Sequence, residues 1–200
     1  TATAPSSVTL NATLRSSADT ITIGDAGTGL TLAGTTSIID TTNAGGSPLG
    51  GAIAVDGAVV GTVANTQSLT LDAGTAGTIA FSSTIGAVTS LATLTVTNSN
   101  GATFTGAVTA ATSVVLTDTT DVANITFTGA LITPTLTTAA QGYDLDLLGS
   151  GTIITNACAF INTGILTLGD AAADTLLFDG GLTATAPSSV TLNATLRSSA

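Results

Sequence analysis

The chain has 200 residues, a formal net charge of −10 and only 7% charged residues, and it contains no His, Trp or Met. Lys and Glu are absent as well, so every acid is Asp and the only bases are Arg15 and Arg197. Such a chain offers no base to activate a nucleophile, no cationic surface for nucleic acid and no Cys–His set for zinc.

Mean hydropathy is +0.59, yet no apolar run approaches the ~18 residues a membrane helix needs. Val, Ile, Leu and Ala are instead interleaved with uncharged Thr, Ser, Gly and Asn. The long straight side chains that favour helix are nearly missing. The Thr, Val and Ile in their place are stiff at the first side-chain torsion and pack well on a pleated surface. Disordered chains show the reverse balance, so an all-β chain with a buried core is expected.

The sequence opens with TATAPSSVTLNATLRSSA at 1–18, in which Val8-Thr-Leu10 already alternates apolar and polar. There is no initiating Met or leader pattern, which reads as a mature segment or a window of something longer. Ile21-Thr-Ile23 and Leu30-Thr-Leu32 continue the period of two that marks half-buried strands. Residues 41–51, TTNAGGSPLGG, are rich in turn formers and read as an insertion.

From Ile53 a motif recurs: Ile53-Ala-Val-Asp-Gly-Ala-Val59, Ile79-Ala-Phe-Ser-Ser-Thr-Ile85, Ala102-Thr-Phe-Thr-Gly-Ala-Val108, Ile125-Thr-Phe-Thr-Gly-Ala-Leu131 and Leu176-Leu-Phe-Asp-Gly-Gly-Leu182. Phe81, Phe104 and Phe127 fall 23 residues apart, and Leu30 lies 23 before Ile53. Ile21 and a degenerate stretch near Ile153 complete the set. Between copies lie Leu69-Thr-Leu71, Leu94-Thr-Val96, Ser113-Val-Val-Leu-Thr117, Ile165-Leu-Thr-Leu168 and Ser189-Val-Thr-Leu192, read as the second strand of each unit. A second turn-rich segment, QGYDLDLLGSG at 141–151, reads as another insertion.

Residues 183–200 repeat residues 1–18 letter for letter, an offset of 182. Residues 1–182 are therefore one full tandem unit, and 183–200 begin the next. A 23-residue unit cannot bury its own apolar face, but a stack of them can, Phe over Phe and Ile over Ile. The expected fold is a parallel β-helix, or β-solenoid, with about seven coils of roughly 23–28 residues per tandem unit, eight shorter coils being the other count. A pair of Ig-like sandwiches of about 90 residues each is the rival. It is disfavoured because one Tyr and five Phe serve the whole chain.

Candidate chemistry is sparse. Asp118 with Asp121, Asp144 with Asp146, and Asp170 with Asp174 are the carboxylate pairs that glycoside hydrolysis would use. Each also sits where Asp is favoured as a turn residue, bonding nearby backbone N–H groups, and that is the expectation. Cys158, the single cysteine, reads as a small buried hydrophobe, with an inter-chain disulfide as the other use. The Thr pairs 93/95/97, 103/105 and 126/128 resemble ice-binding arrays, but Thr is also the best polar strand former. Asn11, Asn124 and Asn193 open N-x-T sequons. One unit carries twelve Asp and one Arg, a formal charge of −11. Calcium or another divalent ion can screen such a line or cross-link it. No catalytic, cofactor-binding or metal-binding residue is otherwise assigned, and no enzyme is expected.

The modules ITFTGAL, ATFTGAV and LLFDGGL, with SVTLNATL and GILTLGD between them, resemble the β-strand repeats of filamentous-haemagglutinin-like and autotransporter-passenger proteins of bacterial surfaces. The resemblance covers most of the chain. It implies a right-handed parallel β-helix, export across the outer membrane, and a role as surface fibre or adhesin. The sequence-level expectation is thus a structural repeat segment of an extracellular or cell-surface fibre, sheath or stalk. An adhesin shaft is the first alternative and a carbohydrate-active β-helix enzyme the second. The partners expected are like chains or adjacent repeats and cell-surface or glycan contacts, without nucleic acid or a membrane span.

Overall fold

The computed structural model describes residues 6–25 and 27–199. Every ladder between strands is parallel, and the described residues contain no helix. This removes the sandwich reading, since Ig-type sheets are antiparallel. Each turn of the chain visits three faces. The third is the plainest: Ile21–Ile23, Ile53–Val55, Ile79–Phe81, Ala102–Phe104, Asn124–Phe127, Asp144–Leu147, Ile165–Leu168 and Ser189–Leu192 stack in that order. The first face begins with Ser7–Leu10, Gly29–Leu32 and Val59–Gly61. It continues through bridges at Ile85 to Val108, then Leu131–Thr133, Thr152–Ile154, Thr175–Phe178 and Thr195–Arg197. The second carries Thr13–Arg15, Thr36–Asp40, Ser68–Asp72, Leu91–Asn98 and the later half of Val108–Leu116, then Thr135–Thr137. Cys158–Ala159 and Leu182–Thr183 follow. The β-solenoid expected from the sequence is thus present, with about eight turns.

Stacking works because each strand alternates buried and outward residues, as in Ile79–Phe81 and Ala102–Phe104. On the third face one inward file runs Ile23, Val55, Phe81, Phe104, Phe127, Leu147, Leu168 and Leu192. The rings of Phe81, Phe104 and Phe127 stack with centroids 5.6 and 4.8 Å apart, as their spacing predicted. A parallel file beside it joins Ile21, Ile53, Ile79, Ala102 and Ile125. Most of the buried apolar residues form one continuous core from end to end, so each turn is stable only on its neighbours.

The structure corrects several assignments. A turn has three strands, not two. Leu30 lies on the first face, paired with Val8 and Val59, and is not in file with Ile53. Ile153 and the Leu176–Phe178 copy are also on the first face, so Phe178 leaves the Phe file and meets Phe160 edge-on at 5.9 Å. A sequence motif of alternating apolar residues fixes which side chains point inward but not which face the strand joins. Turn length varies more widely than expected. On the third face 32 residues separate Ile21 from Ile53, and 20 separate Ile125 from Leu145. Residues 41–51 are an insertion as read. Residues 141–151 are not: they contain the strand Asp144–Leu147 and belong to the shortest of the third-face turns.

The corner from the third face to the first is built on stacked glycines. A Cβ on Gly129 would lie 2.4 Å from the carbonyl carbon of Gly106, and one on Gly149 would lie 2.2 Å from that of Gly129. The FTGA motifs therefore place Gly where adjacent backbones approach too closely for a side chain.

Candidate functional site

The most concentrated polar chemistry lies at the corner from the second face to the third. The strands SIID and LTLD end there in register, and TVTN joins them through a bulge at Thr97, placing Asp40, Asp72 and Asn98 in one column. Asp40 is 4% exposed. Its Oδ1 accepts from Thr42 N and Thr42 Oγ1, both at 2.7 Å, and its Oδ2 accepts from Ala44 N at 2.8 Å and Arg15 Nε at 2.9 Å. Burial alone would raise its pKa, but the donors outweigh it and hold the carboxyl below its ordinary value. Asp72 is the opposite case. Burial pushes its pKa up, the neighbouring Asp40 charge adds to that, and the bond from Gly74 N at 3.1 Å only partly offsets it. Asn98 Oδ1, in the same column, is buried with no hydrogen-bond partner. A cleft of about 360 Å³ opens over the column, lined by Thr42, Pro48, Asp72, Asn98 and Asp118 among others.

A second hollow, about 380 Å³, lies on the outside of the first face near Ile153, Leu177 and Arg197. Outward positions elsewhere are mostly Thr, Ala or Ser, but here Ile132, Ile153, Leu177 and Arg197 follow one another in register. Ile132 and Ile153 are 38% and 37% exposed.

The carboxylate pairs picked from the sequence are scattered. Asp118 Oδ1 accepts its neighbour Thr119 N at 2.8 Å, a turn role, and the carboxylate of Asp121 packs against Gly142. Asp174 Oδ2 accepts from Asp170 N at 3.1 Å and Ala171 N at 2.9 Å, and these bonds hold its pKa below the ordinary value. That pair forms a turn, as expected. Asp144 and Asp146 do not: they point outward from a strand, on either side of buried Leu145. Asp146 reaches back one turn to Asn124 Nδ2 at 2.7 Å and Thr126 Oγ1 at 3.2 Å. Asp144 reaches forward to Ile165 N at 2.6 Å. Each carboxylate ties one turn to the next.

Cys158 is buried, and burial pushes its thiol pKa up to about 12. It is a small apolar core residue, as read, and not a reactive thiolate. Thr103 and Thr126 do stack, but the file runs on into Ala80 and Asp146, so no extended Thr array forms there. Asn11, Asn124 and Asn193 are exposed. Among the described residues no three His, Cys, Asp or Glu side chains come together as metal donors. Sequence reasoning missed the Asp40–Asp72–Asn98 column, although three alternating strands each ending in Asp or Asn were visible. It also missed Tyr143, which is fully buried, accepts from Ala139 N at 3.0 Å and donates to Leu116 O at 3.3 Å. Burial raises the Tyr143 pKa to about 12.

No family model, curated protein or solved structure matches the chain.

Proposed function

We propose that this chain is a structural repeat segment of a large exported protein that forms a fibre, sheath or stalk at the cell surface. The observation that carries the reading is the single core threading about eight parallel turns. A molecule built that way gains length with each added turn and gains no pocket. The verbatim return of residues 1–18 at 183–200 supports it, as does an outer surface rich in hydroxyls and poor in charge. Few charges favour side-by-side association over free monomers, and the outward Ile132–Ile153–Leu177 file adds apolar area for a like chain to cover. The likeness of its strand modules to surface-protein repeats fits export and an extracellular place.

The same reading makes the chain non-enzymatic. Asp40, Asp144, Asp146 and Asp174 are each engaged in holding backbone or neighbouring side chains, which supports structural roles for them. Calcium enters only as a bridge between acidic rods. Electron microscopy of the native assembly is the test. Rods in lateral contact are expected; isolated shafts carrying a distinct tip would favour an adhesin, and compact globular bodies would reject both.

A further inference from the structure

The two identical segments occupy different faces. In the first copy, Ser7–Leu10 stacks under Gly29–Leu32 on the first face, and Thr13–Arg15 under Thr36–Asp40 on the second. In the later copy, Ser189–Leu192 stacks on Ile165–Leu168 on the third face, and Thr195–Arg197 on Thr175–Phe178 on the first. The inward and outward pattern is unchanged: Val8 and Val190, Leu10 and Leu192, and Leu14 and Leu196 all register with buried residues. Only the face has moved. The Asn-Ala corner that joins the two strands makes the bend from the first face to the second in one copy, and in the other the bend from the third face to the first, where turns further down the stack use Gly106, Gly129 and Gly149.

Between the copies the chain completes seven turns and two further faces. A unit of seven and two-thirds turns cannot repeat in phase. We propose that successive 182-residue units are each turned by one face, about 120°, so that equivalent faces realign only after every third unit, about 110 Å along the rod at about 4.8 Å per turn. The first copy also specifies what seats the next unit. Val8 is covered by Leu30, Leu14 by Ile39, and Arg15 pairs with Asp40 at 2.9 Å. The later copy presents the same edge with Val190 and Leu192 47% and 52% exposed. It is the docking edge for the counterparts of Leu30, Ile39 and Asp40 in a following unit, with Arg197 taking the role of Arg15. In such a rod the insertion at 41–51 and the apolar file of the first face are presented on three sides rather than one. This inference rests on the tandem-rod reading given above.

Two experiments test it. In the 200-residue chain carrying Cys158→Ala, Thr167→Cys with Thr191→Cys is expected to oxidise to a disulfide as completely as the mid-rod pair Thr103→Cys with Thr126→Cys. Both pairs are outward and in register, and adjacent strands meet the Cα spacing a disulfide needs. An in-phase repeat would instead place Thr191 above Leu177, so crosslinking of Leu177→Cys with Thr191→Cys, or of neither pair while the mid-rod control closes, overturns the rotation. Electron cryomicroscopy of a chain of three consecutive units is expected to show the 41–51 loops stepping by a third of a turn per unit. Loops in single file on a continuous rod overturn the rotation and leave the structural role intact. Units folded as separate bodies overturn the rod itself.

Discussion

Phe104 sits mid-way along the stacked file, fully buried between Phe81 and Phe127. Its truncation leaves a void that neighbouring turns cannot close, because their backbones are fixed by ladders on both sides. Phe104→Ala is expected to cost about 3–5 kcal/mol, and Thr103→Ala, one residue away and outward, less than about 0.5 kcal/mol; denaturant unfolding of both variants checks the contrast. The acid column gives a prediction of opposite signs. Asp40 has a folded-state pKa below its ordinary 3.8, so its contribution is full above that value and is lost as pH falls through the lower folded value. Asp72 has a folded-state pKa above 3.8, so its contribution is present below 3.8 and disappears as pH rises through the raised value. Asp72→Asn is therefore expected to raise Tm at pH 7 and to lose that gain near pH 3. Asp40→Asn is expected to lower Tm at pH 7, with the deficit shrinking in acid. Thermal melts across this range decide it, and a Tm gain for Asp72→Asn that persists unchanged into acid would count against the electrostatic account.

The individual strand is three to five residues long in most cases, and this governs what was legible. Alternations such as Leu69-Thr-Leu71 and Ile165-Leu-Thr-Leu168 all became strands, because a period of two is a local property. The face was not legible, because Leu30-Thr-Leu32 and Ile21-Thr-Ile23 have the same pattern and differ only in which neighbour lies beneath. For the same reason the insertion at 41–51 was read correctly and that at 141–151 was not. Both are rich in Gly, but the second also carries Asp-Leu-Asp-Leu, an alternation whose polar members are charged. The acid column escaped notice since it needs residues 26–32 apart to be placed in register, which only the turn lengths reveal. The corner glycines, by contrast, were visible as a shared motif. Gly129→Ala is expected to destabilise the rod by about 1–3 kcal/mol, an overpacking cost. A mutant as stable as the parent in a chemical melt would mean the corner has slack.

At the scale of the whole molecule, charge and shape act together. A line of −11 per unit repels both its own turns and neighbouring rods, and salt screens that repulsion within a Debye length of about 8–10 Å. Raising salt, or lowering pH toward the pI of about 4.1, is expected to raise Tm and to promote association, read by light scattering and sedimentation. Association that weakens under both treatments would argue that ion pairs, not apolar and hydroxyl contacts, drive whatever association the proposed rods undergo.

The ladders also determine how such a molecule bears load. Bonds such as Ile53 N to Thr78 O and Ile79 N to Gly101 O join one turn to the next, so they point along the axis. A pull on the two ends opens them one after another, like a zipper, instead of shearing many at once. A freed turn of about 23 residues can extend to roughly 80 Å at about 3.4 Å per residue, against about 4.8 Å when stacked. Tension would therefore be met by a gain of roughly 75 Å for each turn that opens, a yielding tether in place of a brittle strut.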